Sequence, residues 1–322
     1  MRCTNKKRAG LLCFCCIAAI FMSSCKKEQV VLEHPYSLYE TGTTDTTNSY
    51  FAENLCVTDK VDFGTDQVQS SVAEAAGVFN TTTKEVTYSQ HLFDKMYPAS
   101  TTKVLTAYII LKNCNLEDQV TVSKEAVANM AGSSVCGIAE GDTLSVRDLL
   151  YGLMLVSGND AANALAEYYS GSVEAFAEEM NREAKALGAT GSHFVNANGL
   201  PDENHYTTVY DMYLIFQAAI QMPDFLTIIG SPSYDVSYSG AAGDTVSKTW
   251  NNTNKYLNEE VKAPEGIHVV GGKTGTPNAA GYCLVLLSEN QKGENIVSIV
   301  FKADGRSDLY LLMNEILETF AK

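Results

Sequence analysis

The stretch Ser-Thr-Thr-Lys-Val-Leu-Thr-Ala-Tyr-Ile-Ile-Leu at residues 100–111 places a serine and a lysine three residues apart at the head of an apolar run. If Ser100 opens a helix, Lys103 lies one turn further on, and both side chains project from the same face. The apolar residues that follow predict that this helix is buried. Burial and neighbouring positive charge lower the pKa of a lysine, so the pattern favours Lys103 as a base towards the Ser100 hydroxyl.

Two further short motifs follow along the chain. Ser157-Gly158-Asn159 falls between two helical patterns, and a corner between helices can direct short polar side chains into a cleft. The motif Lys-Thr-Gly-Thr at residues 273–276 follows a strand-like run, and glycines at 271, 272 and 275 would let a substrate backbone approach an edge strand. The three motifs supply a nucleophile, an amine base, a hydroxyl relay and a cation for a carboxylate. These are the groups of a serine acyl-transfer site without histidine.

In this order, the motifs resemble the penicillin-binding, active-site serine D,D-peptidases, and within them the low-molecular-mass D-alanyl-D-alanine carboxypeptidases. The resemblance covers about residues 57–322. Besides the three motifs, it rests on residues 97–99, 194–200, 202–208, 252–254 and 280–282.

The resemblance implies a role for each motif residue. Ser100 is the acylated nucleophile, and Lys103 is the base that takes its proton. Ser157 relays a proton to the leaving amine, and Asn159 hydrogen-bonds Lys103 and the substrate amide. The backbone amides of Ser100 and Thr276 form the oxyanion hole.

The resemblance also implies a site for the terminal carboxylate of the substrate. Lys273, Thr274, Gly275 and Thr276 form it along the edge strand. Arg306, in the last loop before the C-terminal helix, would add a guanidinium, with a solvated surface arginine as the alternative.

A turn is expected to support the site at Asn196-Ala197-Asn198-Gly199. Gly199 would allow a positive φ there.

The coarse pattern predicts an α+β fold, in which an antiparallel sheet is flanked by helices and joined to an all-α subdomain. The family resemblance implies that this is the β-lactamase and transpeptidase-like fold. Helices from about Ser123 to Ala219 would form that subdomain, with the active site in the crevice between the two parts. Two hairpins and a final helix complete the pattern, at residues 72–79 with 86–89, 282–288 with 296–302, and 307–322.

The N-terminus has the pattern of a secretion signal, because basic residues precede an apolar run, residues 9–22, that is too short to span a bilayer. Met22-Ser23-Ser24-Cys25 resembles a bacterial lipobox, which would lipidate Cys25 and anchor the protein in the membrane; ordinary cleavage near Ser24 is the alternative. We expect a signal peptide at 1–24, a flexible Thr-rich linker at 25–56 and the catalytic domain at 57–322, outside the cytoplasm.

Composition and the remaining motifs exclude several classes of protein. The chain has 23 Lys and Arg against 38 Asp and Glu, a formal net charge of −15, which argues against nucleic-acid binding. It has neither a metal-binding motif nor a phosphate-cradling glycine loop, so we expect no metal and no cofactor. A Ser-His-Asp triad is disfavoured, because His205 lies near Asp202 but no Gly-x-Ser-x-Gly elbow supplies the serine.

Cys56, Cys114, Cys136 and Cys283 permit three disulfide pairings. Buried free thiols are an equal alternative.

The leading functional hypothesis is a carboxypeptidase that removes the terminal D-alanine from peptidoglycan stem pentapeptides through an acyl-enzyme on Ser100, with β-lactam antibiotics as covalent inhibitors. A β-lactamase is the alternative enzyme, although the chain lacks the Glu-x-x-Leu-Asn segment of class A enzymes. An alternative of another class is a catalytically idle wall-binding or β-lactam-sensing module, whose usual sign is the loss of the nucleophile or base. Carboxypeptidase, transpeptidase and endopeptidase activities share the acyl-enzyme, so the motifs fit all three.

Overall fold

The computed structural model describes residues 52–276 and 280–322. The predicted signal peptide, Cys25 and the linker up to residue 51 lie outside the described residues.

Five antiparallel strands form the main sheet: β1 (Ala73–Asn80), β2 (Glu85–Gln90), β7 (Ile267–Gly275), β8 (Tyr282–Asn290) and β9 (Asn295–Ala303). Their order in the sheet is β2-β1-β9-β8-β7. Strands β1 and β2 form the first predicted hairpin and β8 and β9 the second, so both predictions are confirmed. Strand β7 lies at the edge of this sheet, as predicted for the strand that carries Lys-Thr-Gly.

The helices of the described residues are α1 (Lys103–Asn113), α2 (Val146–Met154), α3 (Asn159–Ser170), α4 (Val173–Ala186), α5 (Val209–Ala219), α6 (Pro223–Ile229) and α7 (Arg306–Phe320). Side chains that alternate along β8 divide the core between two faces of the sheet. Val285 and Leu287 belong to the cluster that contains α1 and α5, whereas Leu284 and Leu286 pack with α7. The predicted final helix and the α+β fold class are confirmed.

Helix α1 is the buried helix predicted from its sequence, since every residue from Lys103 to Ile110 is buried. The placement of Ser100 differs from the prediction. Ser100 lies in a 3₁₀ turn (Ala99–Thr102) that leads directly into α1, so the α-helix itself begins at Lys103. Ser100 and Lys103 still approach each other, because three residues also make one turn of a 3₁₀ helix.

The second subdomain contains helices α2 to α6 but is not all-α. It also contains a small sheet with strands β3 (Gln119–Thr121), β4 (Thr143–Ser145), β5 (Ser233–Ser239) and β6 (Thr245–Asn251), in that order. This sheet packs on α2, where the rings of Tyr151 and Tyr234 stack at 3.8 Å.

The expectation of helices from Ser123 onward is wrong for residues 123–145, which form a loop and strand β4. The backbone explains this result, because Asn129, Gly132 and Gly137 adopt φ values of 58°, 76° and 75°, which a right-handed helix does not permit. The first helix of this region begins at α2, where Ser145 and Asp148 form a reciprocal capping box.

Cys56, Cys114, Cys136 and Cys283 are free thiols in this structure, the second of the two alternatives left open by the sequence.

Within the residues described, no single helix has the length and apolar composition of a membrane span; only the pair α5 and α6, bent by 113°, meets those two criteria when taken together.

The segment that follows α4 passes close to the turn that carries Ser100. Gly199 has φ +85°, and a Cβ atom placed on it would lie 1.9 Å from the carbonyl oxygen of Ala99. The predicted positive φ is confirmed, and the close contact gives a second reason for glycine at this position.

We expect Gly199→Ala to lower the free energy of unfolding by about 2–4 kcal/mol, because it combines an unfavourable φ with a backbone clash. Gly171→Ala is the matched control: Gly171 has φ +82° but open space around its Cβ position. That variant should lose only about 1 kcal/mol. Urea denaturation measures both, and equal losses would contradict the proposed clash.

Candidate active site

The turn before α1 brings the predicted nucleophile and base together. Lys103 Nζ donates a hydrogen bond to Ser100 Oγ at 3.0 Å. Ala99, the first residue of the turn, has φ 49°, an uncommon conformation for a residue with a side chain. Such strained positions concentrate at functional sites, and this one precedes the serine directly.

Lys103 is completely removed from water. Its amine has two further acceptors, Asn159 Oδ1 at 2.7 Å and the carbonyl oxygen of Asn198 at 2.6 Å. Burial lowers the pKa of Lys103 well below its ordinary value, and the nearby charge of Lys273 lowers it further. The site therefore favours the neutral amine, which is the form that can accept a proton. In that form its two N–H groups donate to Asn159 and Asn198, and the Ser100 hydroxyl donates to its lone pair.

The corner between α2 and α3 supplies the second motif. Asn159 is the first residue of α3 and reaches Lys103, as described above. Ser157 has φ 62°, and its buried hydroxyl oxygen has no hydrogen-bond partner among the described residues. A buried, unpaired hydroxyl is costly in a folded protein, and this one is free to donate or accept a hydrogen bond.

The C-terminal end of β7 lies beside the turn that carries Ser100. A Cβ atom placed on Gly275 would lie 3.0 Å from the Cβ of Ala99. Lys273 is buried, and its Nζ donates to the carbonyl oxygen of Thr274 at 2.9 Å. Burial lowers the pKa of Lys273 to about 7.

Gly271 and Gly272 of β7 have a different role from the one predicted. Cβ atoms placed on Gly271 and Gly272 would lie 2.4 and 2.1 Å from the carbonyl oxygens of Ile229 and Val285. These glycines therefore allow close packing within the protein, and the approach of a substrate backbone does not explain them.

A cleft of about 350 Å³ opens over the three motifs. Ser100, Asn159 and Thr276 line it from the turn, the helical subdomain and the end of β7 respectively, which agrees with the predicted crevice between two parts. The loop at residues 129–134 and the segment 198–201 form further parts of its wall.

Arg306 lies outside this cleft. It is exposed at the first position of α7, and its guanidinium carbon lies 5.8 Å from the centre of the Tyr282 ring. It lines a separate groove of about 220 Å³ that also includes Thr274 and Thr276. Thr276 lines both cavities, so the groove adjoins the active-site cleft at the end of β7.

Three contacts that the sequence analysis did not identify hold α1 against the segment 195–205. Besides the bond from Lys103 to Asn198, Thr106 Oγ1 donates to the carbonyl oxygen of Ala197 at 2.7 Å. Thr102 Oγ1 lies 2.9 Å from His205 Nε2. Through these contacts the turn at residues 196–199 supports the site, as predicted. No local sequence pattern specifies the contacts themselves.

His205 supports the site as a neutral side chain. The backbone N–H of Val195 donates to its Nδ1, so the ring proton is assigned to Nε2, which donates to Thr102 Oγ1. Burial lowers the pKa of His205 to about 4. Both ring nitrogens of His205 are thus bonded to Val195 and Thr102, so His205 does not form a Ser-His-Asp triad. Elsewhere in the described residues, no three His, Cys, Asp or Glu side chains converge as metal ligands would.

Comparison with known proteins relates these motifs to a family. The family profile described as D-alanyl-D-alanine carboxypeptidase matches residues 63–305. The chain is 32% identical over 237 residues to D-alanyl-D-alanine carboxypeptidase DacF of Bacillus subtilis strain 168, covering 72% of this chain and 57% of that protein. It is 36% identical over 219 residues to DacC of Escherichia coli K12, covering 65% of this chain and 51% of DacC. The chain thus spans little more than half the length of these relatives.

Solved structures agree with the observed fold. The crystal structure of the Streptomyces K15 DD-transpeptidase matches with a TM-score of 0.69 and 30% identity, over 76% of this chain and 96% of that chain. D-alanyl-D-alanine carboxypeptidase DacD from Francisella tularensis matches with a TM-score of 0.68 and 26% identity, over 82% and 73%. The predicted transpeptidase-like fold is confirmed. By the extent of the family match and the agreement of fold, this chain belongs to the D-alanyl-D-alanine carboxypeptidase family of serine peptidases.

Proposed function

We propose that the protein is a serine carboxypeptidase that removes the terminal D-alanine from peptidoglycan stem pentapeptides. The observation that carries this proposal is the buried amine of Lys103, 3.0 Å from Ser100 Oγ at the floor of a cleft. Family membership supplies the substrate class, and the geometry supplies a nucleophile and a base with its pKa lowered.

In the proposed reaction, neutral Lys103 takes the proton of Ser100 as Oγ attacks the carbonyl carbon of the penultimate D-alanine. The backbone amides of Ser100 and Thr276 stabilise the oxyanion. Ser157, whose buried hydroxyl has no other described partner, relays a proton to the leaving amine. Water then hydrolyses the acyl-enzyme, while Asn159 holds Lys103 and the substrate amide.

The terminal carboxylate of the substrate is proposed to bind at the end of β7. Lys273, Thr274, Gly275 and Thr276 form this site, and Arg306 contributes from the adjoining groove. A carboxylate beside Lys273 would favour its charged form, so binding offsets the effect of burial on that lysine.

We also propose that the protein works outside the cytoplasm, that residues 1–24 are a signal peptide, and that a lipid on Cys25 anchors it to the membrane through the linker at 25–56. The basic and apolar pattern before Cys25 supports this proposal.

The nucleophile is tested by intact-mass analysis after mixing with benzylpenicillin. We expect a long-lived single adduct on the wild-type protein that is absent from Ser100→Ala, because β-lactams acylate the same serine in the proposed mechanism. Ser133→Ala is the control, since Ser133 lines the cleft and its hydroxyl donates to the carbonyl oxygen of Met130. Rapid drug turnover without a lasting adduct would indicate a β-lactamase. Folded protein with neither adduct nor turnover would indicate the idle binding module.

The base is tested by the pH dependence of acylation. Only neutral Lys103 accepts a proton, so the rate should rise with pH through the lowered pKa of Lys103. The charge of Lys273 lowers that pKa. Lys273→Met should therefore move the acid limb of the profile to higher pH, besides slowing the reaction.

Lys95→Met is the control for this profile, because Lys95 is exposed and its Nζ lies over the ring of Tyr206, 3.9 Å from the centre. Its acid limb should match that of the wild type. If the acid limb of Lys273→Met matched that of the wild type, the charge of Lys273 would not affect the pKa of Lys103, and the proposed coupling of the two lysines would be wrong.

The role of Arg306 is tested with two peptides that end in D-Ala-D-Ala or in D-Ala-D-alaninamide. Arg306→Ala should lower kcat/KM about 10-fold for the carboxylate peptide, because one charged hydrogen bond is lost. The amide peptide, which has no terminal charge, should be nearly unaffected. Equal effects on both peptides would identify Arg306 as a surface arginine without a role in carboxylate binding.

The anchor is tested by growing cells that produce the full chain with a radiolabelled fatty acid. The protein should incorporate label and sediment with membranes, and Cys25→Ser should abolish both. Labelling that persists in Cys25→Ser would contradict lipidation at this residue.

A further inference from the structure

The loop at residues 129–138 lines one wall of the active-site cleft with its residues 129 and 131–134, and it contains no helix or strand. Its buried backbone groups therefore need partners from elsewhere in the protein. Asp160, which directly follows the Ser-Gly-Asn motif, is the partner of three of them.

Asp160 is 1% exposed. Its Oδ1 accepts from the backbone N–H of Cys136 at 2.8 Å, and its Oδ2 accepts from those of Gly137 and Ile138 at 2.9 and 3.3 Å. The N–H of Ala161 also donates to Oδ1, at 2.9 Å. One carboxylate thus binds three successive amides of the loop.

Other side chains bind the carbonyl oxygens of the same residues. Trp250 Nε1 donates to the carbonyl oxygen of Cys136 at 3.2 Å, and Lys248 Nζ donates to that of Gly137. The backbone N–H of Asn159 donates to the carbonyl oxygen of Ser134 at 2.8 Å. The loop is therefore attached directly to the motif that reaches Lys103.

Packing reinforces this attachment. A Cβ atom placed on Gly158 would lie 2.0 Å from Cys136 Sγ, and one placed on Gly152 would lie 2.4 Å from it. The Cys136 side chain thus occupies the space beside the residue between Ser157 and Asn159. A displaced loop would leave the Ser-Gly-Asn corner without its packing partner.

We infer that Asp160 is a positioning residue for the proposed reaction, which holds the cleft wall and the Ser-Gly-Asn corner together and provides a fixed negative charge near Lys103. This inference rests on the proposed function. Asp160 does not touch the reacting atoms; it acts through Asn159, the loop and the electrostatic field at Lys103.

The charges near Lys103 act in opposite directions. The charge of Lys273 lowers the pKa of Lys103, whereas that of Asp160 raises it. The other titratable groups near Asp160 are the Cys136 thiol and the Tyr238 hydroxyl, and burial followed by nearby carboxylates raises the pKa of both. Both groups stay neutral, so the opposing charges that act on Lys103 are those of Lys273 and Asp160.

The test compares wild type with Asp160→Asn in acylation by benzylpenicillin as a function of pH. In Asp160→Asn an amide replaces the acceptor carboxylate, and we expect the limiting acylation rate to fall about 100-fold, as for a misplaced catalytic group. The acid limb should move to lower pH, because the charge that raises the pKa of Lys103 is lost. This shift is opposite to that expected for Lys273→Met.

Asp148→Asn is the matched control. Asp148 is another carboxylate in the first turn of a helix, bonded to Ser145 and Tyr234, and it does not line the active-site cleft. We expect this variant to lose stability but to keep the wild-type acylation rate and acid limb. A purely structural role for Asp160 would make the two variants alike, with lower stability and an unchanged limb, and would overturn the inference.

Two further measurements keep the inference testable if Asp160→Asn folds poorly or the wild type forms no adduct. Trp250→Phe removes one donor to the loop and should slow acylation without moving the acid limb. Trp250 is the only tryptophan of the chain, and its emission should shift to the red in Asp160→Asn as the loop detaches. If the wild type forms no adduct, the proposed function is refuted. If Asp160→Asn and Trp250→Phe are acylated like the wild type, and the Trp250 emission is unchanged in Asp160→Asn, the role of Asp160 is refuted.

Discussion

The site depends on holding one amine, that of Lys103, out of water beside a serine hydroxyl. Its three hydrogen-bond partners come from three places: Ser100 from the 3₁₀ turn, Asn159 from the start of α3 and Asn198 from the segment after α4. None of these partners is a carboxylate, so burial favours the neutral form. The geometry that shields the amine therefore also suits it to the proposed role of base.

Because of this arrangement, the turn with Ser100, the helical subdomain and the edge strand must keep fixed positions relative to one another. Gly199 lies against the carbonyl group of Ala99, and Gly275 lies against the side chain of the same residue. The turn with Ser100 is thus enclosed between the helical subdomain and the edge strand. Positive φ values occur at Ala99, directly before Ser100, and at Ser157 in the second motif. Surrounding packing maintains these conformations, which a free loop would relax.

The charges that govern the proposed reaction are those inside the site, and the net charge of the chain has little part in it. The chain carries a formal net charge of −15, yet the reaction proposed here depends on two buried lysines and one buried aspartate. Lys273 favours neutral Lys103, and a substrate carboxylate bound at Lys273 would offset part of that effect. Asp160 limits how far the pKa of Lys103 falls. The balance of these charges sets the pH range in which the base is effective.

The sequence predicts the features that have a local pattern. Apolar runs and polar turns identify α1, α7 and both hairpins of the main sheet, and the three motifs identify Ser100, Lys103, Asn159 and Lys273. The sequence does not predict the small sheet, because β3 and β4 have three residues each and carry no clear alternation. It also misses the carbonyl group of Asn198 and the three amides bound by Asp160, because such contacts depend on how distant segments meet.

The most direct test of the central claim is a titration of Lys103 by NMR in protein labelled with ¹³C at lysine Cε, with the resonance assigned by comparison with Lys103→Arg. We predict that Lys103 titrates well below 10.5, its ordinary pKa, in the free protein. A Lys103 resonance that titrates near 10.5 would show that the amine is charged at neutral pH, and would contradict its proposed role as the base.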